Sequence, residues 1–147
     1  MKKYKKMPTV GSVMTPFPFF ADVMDTVAEV ERLMHTHKIR HVPVKRDGEI
    51  VGIVSERDLQ RWSSQAAPDW DRTVVLAAEA MVPDPYVVAF DAPLAQVAAA
   101  MNRRRIGSAL VVRQGKLAGI LSAMDICRIL SDLLDTEFPT KDGNDAA

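Results

Sequence analysis

A seven-residue stretch, Gly52-Ile53-Val54-Ser55-Glu56-Arg57-Asp58, returns as Gly119-Ile120-Leu121-Ser122-Ala123-Met124-Asp125, displaced by 67 positions. The same displacement relates Met14 to Met81, Pro16 to Pro83, Pro18 to Pro85, Ala28 to Ala95, Val30 to Val97, Met34 to Met101, Ile39 to Ile106, Val44 to Val111 and Gly48 to Gly115. A register that holds through helices, strands and turns alike argues for two copies of one unit. In a chain of 147 residues each half is too small to bury a comfortable core alone. The two copies are therefore expected to pack together as one module.

Each copy reads as β-α-β-β-α, an α+β pattern. In the first, Ser12 to Pro18 is expected to be extended or turn-like because of its two prolines, and Phe19-Phe20 offers a short strand. Asp25 or Thr26 caps a helix to about Lys38, with Val27, Val30, Leu33 and Met34 on one face. Ile39 to Val44 and Ile50 to Val54 are strands joined by a turn at Asp47-Gly48, and a helix from about Glu56 to Ser63 closes the copy. The expected organisation is a basic tail at 1–9, the first copy at 10–64, a linker at 65–73, the second copy at 74–135 and a disordered tail at 136–147. Trp62 and Trp70 are the heavy apolar groups that would dock the linker.

The repeated motif places a serine where a strand turns into a helix and an aspartate one turn later. Ser55 as N-cap leaves backbone N–H groups and the positive end of the helix dipole facing out of the strand end, which suits an anion. Asp58 adds a carboxylate that can accept both hydroxyls of a ribose diol. The alternative is structural: Ser-x-x-Asp is nearly the capping box, with Asp in place of Glu or Gln.

Other function classes find less support. Formal net charge is zero, +3 up to Ala67 and −3 from Pro68, which points away from nucleic acid and acidic membrane surfaces. The single Cys127 excludes an intrachain disulfide and fits a reducing, cytoplasmic compartment. No apolar run is long enough to span a bilayer, and Lys2, Lys3, Lys5 and Lys6 are not followed by a signal-peptide core. His37 and His41 are four apart, but His41 falls in a strand, so helical metal ligation is not expected. No Ser-His-Asp order, catalytic carboxylate pair or Walker-type loop is present, so an enzyme is not expected.

Met14-Thr15-Pro16 after a short leader, the helix ending near Met34, Arg40-His41-Val42-Pro43-Val44, the Asp-Gly turn and Gly-apolar-apolar-Ser-x-x-Asp together resemble a CBS domain. Two in tandem, over about Val10 to Leu134, resemble the paired CBS or Bateman module. The resemblance implies a pseudo-twofold pair with two clefts between the sheets, which hold adenosine derivatives such as AMP, ADP, ATP and sometimes NAD or S-adenosylmethionine.

By that resemblance Asp58 and Asp125 hold ribose hydroxyls, and Ser55 and Ser122 with their helix N-termini face phosphate. The backbone around Thr15 and Val82 meets the adenine edge, while Val42, Pro43 and Ile53, or Ala109, Leu110 and Ile120, form apolar walls. The copies are expected to be unequal: Arg40, His41 and Arg57 stand where the second copy has Gly107, Ser108 and Met124. Arg103, Arg104 and Arg105 could reach a phosphate or could simply be a solvated helix end. The helices at Leu94–Met101 and Met124–Leu134 carry more apolar surface than one buried stripe requires, and either lie in the core or pair with a second chain as a homodimer. With no effector segment in the chain, the signal would pass to an unidentified effector protein or through the dimer. A ligand-free dimerisation scaffold is the alternative.

Overall fold

In the computed structural model, which describes residues 6–16 and 18–139, helices and turns form where local chemistry specifies them. Most of the lysine-rich lead-in, including Lys2, Lys3 and Lys5, and the tail from Thr140 onward lie outside the described residues. Helix α2 (Val27–His37) starts at Thr26, whose hydroxyl accepts the Glu29 N–H at 3.2 Å, and stops at Lys38, which takes the left-handed conformation at φ 54°. Beyond the single-turn helix α4 (Ala77–Ala80), helix α5 (Leu94–Arg104) stops as α2 does, at Arg105, also φ 54°. Strands β3 (His41–Arg46) and β4 (Glu49–Ser55) are joined through Asp47 and Gly48, both at positive φ. Strands β7 (Ser108–Arg113) and β8 (Lys116–Ser122) are joined likewise through Gln114 and Gly115. Two consecutive positive-φ residues match the twist of a tight hairpin, and glycine adopts that conformation without penalty.

The chain divides into two compact units that do not coincide with the sequence copies: Met1–Pro16 with Val87–Ala147, and Phe17–Tyr86. In the second of these, the sheet runs β2 (Ala21–Asp22), β3, β4, β5 (Val82–Pro83). In the first, it runs β6 (Val87–Ala89), β7, β8, β1 (Thr15–Pro16). Each sheet thus ends in a short strand lent by the other copy's leader. Matching backbone bonds clamp both leaders: Gly11 N–H to Phe90 O at 2.8 Å in one unit, and Ala78 N–H to Val23 O at 3.2 Å in the other.

Both sheets bury their middle strands. Val42, Val44 and Val54 are fully buried with Val27 and Val30 in the Phe17–Tyr86 unit; Ala109, Leu110, Val111 and Leu121 are fully buried in the other, with Val10 of the leader. Each such valine or leucine contributes about 1.5–3 kcal/mol. The central proline of β3 has a local consequence. Pro43 has no N–H to offer β2, and pairing there stops at Ala21 with Val44, whereas Leu110 carries one and pairing reaches Val87.

Three sequence expectations shift. Residues Val10–Val13 make one helical turn, α1, because the prolines begin only at Pro16; extended backbone starts at Met14 and strand pairing at Thr15. The first short strand lies at Ala21–Asp22, one step beyond Phe19-Phe20; the Phe19 ring instead stacks on His37 at 3.6 Å. Helix α6 (Ala123–Glu137) takes Thr136 and Glu137 into its last turn. The linker docks through Trp70, whose ring meets Trp62 edge-on at 4.8 Å, while Arg72 stacks on Trp70 and reaches Glu31 at 3.0 Å. Thr73 donates from both its hydroxyl and its N–H to Asp71, which holds that carboxyl below its ordinary range.

Candidate functional site

Helix α3 (Glu56–Gln65) and α6 both begin at the end of a long strand, with Ser55 and Ser122 as extended N-cap residues. Both serines form complete capping boxes. Asp58 N–H donates to Ser55 Oγ at 2.9 Å and Ser55 N–H donates to Asp58 Oδ2 at 3.1 Å. Asp125 N–H donates to Ser122 Oγ at 3.2 Å, while Ser122 N–H and its hydroxyl reach Asp125 Oδ2 at 2.9 and 3.1 Å. The structural role of Ser-x-x-Asp is therefore realised in both copies, and it engages one carboxylate oxygen, Oδ2. A carboxylate has two acceptor oxygens, so the cap leaves Oδ1 for another partner.

The leaders decide what stands beside each carboxylate. Strand β5 pairs Val82 with Ile53 and Pro83 with Gly52, which brings Val82 to the Asp58 end of β4. Strand β1 pairs Thr15 with Ile120 and Pro16 with Gly119, which brings Thr15 to the Asp125 end of β8. Thr15 Oγ1 donates to Asp125 Oδ1 at 3.1 Å. The motif glycines make this approach possible: a Cβ on Gly119 would stand 2.6 Å from Thr15 O and against Met14 Sδ, and one on Gly52 would stand 2.5 Å from Met81 Sδ. Each site therefore joins one copy's helix to the other copy's leader.

Other candidate residues fall into three groups. His41 pairs with Ser55 across β3 and β4, and Ser108 pairs with Ser122 across β7 and β8, so both stand beside a cap. Val42, Pro43 and Ala109 are fully buried; Val42 belongs to the hydrophobic core, and these three could offer a ligand little beyond backbone. The cations do not gather at Asp58. Arg40 lies 3.8 Å from Glu56 and lines a groove of about 590 Å³ between α2 and α3, with Lys38, Trp70 and Arg72, whose walls do not include Asp58. Arg57 is exposed on α3, and Arg103, Arg104 and Arg105 are exposed at the end of α5. No group of three or more His, Cys, Asp or Glu suited to a metal occurs among the described residues.

Sequence reasoning missed Arg128. Its Nη2 donates to Val13 O at 3.2 Å and lies 3.4 Å from Asp125 Oδ1, so it ties helix, carboxylate and leader together. The available signal was a basic residue three positions after each motif aspartate, Arg61 and Arg128, on the same helix face.

The arrangement offers chemistry for holding a polar ligand: an acceptor oxygen, a helix N-terminus and an edge of backbone at β1 or β5. A model of the CBS domain family matches residues 10–65 and 77–132. An inosine-5'-monophosphate dehydrogenase from Staphylococcus saprophyticus is 29% identical over 125 residues, which are 83% of this chain and 23% of the dehydrogenase; the chain thus spans under a quarter of that relative. Among solved structures, a Vibrio cholerae protein assigned to acetoin utilization (AcuB) superposes with TM-score 0.77 at 29% identity, over 92% of this chain and 99% of that one. The CBS domain pair of protein MJ0100, solved with 5'-methylthioadenosine and S-adenosyl-L-methionine, gives TM-score 0.76 at 22% identity, over 86% and 98%. The CBS domain of a bacterial CNNM/CorC Mg2+ transporter, solved with ATP, gives 0.71 at 24%, over 84% and 87%.

Proposed function

Because the chain belongs to the CBS domain family, with two copies of the domain, we propose that it is a regulatory module that binds adenosine-containing ligands beside Asp58 and Asp125. One observation carries the reading: in both copies the cap consumes Oδ2 of the motif aspartate and leaves Oδ1 outside the cap, at the end of a long strand that a leader strand pairs with. A ribose diol is bound by acceptors at such a point, phosphates by the N–H groups of α3 or α6, and the adenine edge by backbone at Val82 or Thr15. Ligands solved with structural neighbours, 5'-methylthioadenosine, S-adenosyl-L-methionine and ATP, are all adenosine compounds, which supports the class. The module works without catalysis of its own, in the cytoplasm, and passes its state to a partner protein. The dehydrogenase likeness covers only the paired-domain region and carries no catalytic role with it.

Calorimetric titration with AMP, ADP, ATP, NAD and S-adenosylmethionine tests the reading. Saturable binding of at least one is expected; silence across all five at millimolar concentration would overturn it. The scaffold reading draws on the same capping boxes, because they give both aspartates a purely structural task. It predicts no thermal stabilisation by any of these ligands, against about 2.7 kcal/mol for a ligand at a hundred times its Kd.

The module also pairs with a second copy, through α6. Met124 and Leu130 are 66% and 50% exposed, Cys127 is exposed beside them, and Leu134 and Phe138 continue the strip. The equivalent positions of α3 carry Arg57, Gln60 and Ser63, so the same helix is solvated in one copy and apolar in the other. Arg128 sits in the first half of α6 and Asp132, Asp135 and Glu137 in the second, so antiparallel pairing sets opposite charges together. Leu130→Glu, at an exposed position, is expected to weaken the dimer at least tenfold by sedimentation while leaving thermal unfolding unchanged at concentrations where both proteins are monomeric; an unchanged sedimentation profile would reject this face.

A further inference from the structure

The two sites differ at one leader position, and we propose that Thr15 is a latch that occupies the Asp125 carboxylate, so that a ribose-bearing ligand takes the Asp58 site first. The inference rests on the reading that both aspartates grip ribose hydroxyls. Both oxygens of Asp125 are engaged: Ser122 holds Oδ2, while Thr15 Oγ1 donates to Oδ1 at 3.1 Å and Arg128 Nη2 lies 3.4 Å from it. The Asp125 side chain is 12% exposed.

At the equivalent leader position the other unit has Val82, paired with Ile53 as Thr15 is with Ile120. Valine has no hydroxyl. Among the described residues, Asp58 Oδ1 accepts no hydrogen bond, and Arg61, the counterpart of Arg128, makes no ion pair with it. A diol approaching Asp58 meets an acceptor that no described residue is shown to claim, whereas one approaching Asp125 must displace the Thr15 hydroxyl. A hydrogen bond to a charged acceptor is strong enough that its exchange separates the two affinities by about tenfold to a hundredfold. Arg128 also holds Val13 O at 3.2 Å, so ligand entry at Asp125 loosens the leader as well as the latch.

Titration of the full chain with ATP tests the latch, using wild type, Thr15→Val, Thr15→Ser, Asp58→Asn and Asp125→Asn. Thr15 is exposed and valine is its isostere, so the fold is retained. Two unequal sites are expected in wild type, the tighter lost in Asp58→Asn and the weaker in Asp125→Asn. Thr15→Val strengthens the weaker site about tenfold and leaves the tighter one unchanged, while Thr15→Ser keeps the wild-type pattern. If ATP binds but Thr15→Val leaves both affinities as they were, or the tight site belongs to Asp125, the latch is overturned and the nucleotide reading stands. If wild type, Asp58→Asn and Thr15→Val are all silent toward ATP, the latch falls together with the reading beneath it.

Discussion

A single methyl group on Gly119 is expected to unseat the leader strand. The Cβ of Gly119→Ala would stand 2.6 Å from the Thr15 carbonyl oxygen and against Met14 Sδ. Backbone cannot swing aside as a side chain does, so β1 must separate from β8, taking the Thr15 and Arg128 bonds with it. Overpacking of this kind costs about 3 kcal/mol. Gly52→Ala is the informative comparison, since its Cβ meets the thioether of Met81 at 2.5 Å but backbone only at 3.0 Å, from Val82 O. A flexible methionine yields more cheaply, and about 1 kcal/mol is expected. Denaturant unfolding measures both losses, and amide exchange at Met14, whose N–H is bonded to Val10 O, should accelerate in Gly119→Ala. Equal destabilisation by the two substitutions would show that leader backbone is not what the glycine accommodates.

The second large effect is on binding. Asp58→Asn retains an acceptor for the Ser55 N–H but replaces the other carboxylate oxygen with a donor and removes the charge. Stability of the unliganded protein should therefore change by less than about 0.5 kcal/mol, whereas affinity at this site should fall about tenfold to a hundredfold. A purely structural aspartate would leave affinity at this site as unchanged as the stability, because Asn keeps the cap.

Much of this architecture is legible in the sequence for local reasons. The Asp47-Gly48 turn and the Thr26 cap are specified by residues within four positions of each other, so their placement needs no knowledge of the rest of the chain. The exchange of leaders is different. Val10 to Pro16 contains nothing that says which sheet it will join, and the pairing of Thr15 with Ile120 closes a loop of more than a hundred residues. For that reason the sequence allots Thr15 a backbone role near adenine and misses its hydroxyl on Asp125. Similarly, Arg40 stands four positions from Val44 in the repeat pattern, yet its side chain turns to Glu56 and the α2–α3 groove, a choice made by tertiary packing. Ser-x-x-Asp itself cannot separate capping from ligand binding in sequence, because one residue pair serves both; only the division of labour between Oδ2 and Oδ1 makes the two compatible.

The most direct measurement is a crystal structure of the protein grown with ATP. Ribose hydroxyls are expected within hydrogen-bond reach of Asp58 Oδ1, with the adenine edge along the backbone at Val82 and the Ser55–Asp58 cap intact. A nucleotide lodged instead in the groove beside Arg40 and Trp70, with Asp58 touching only its own helix, would contradict it.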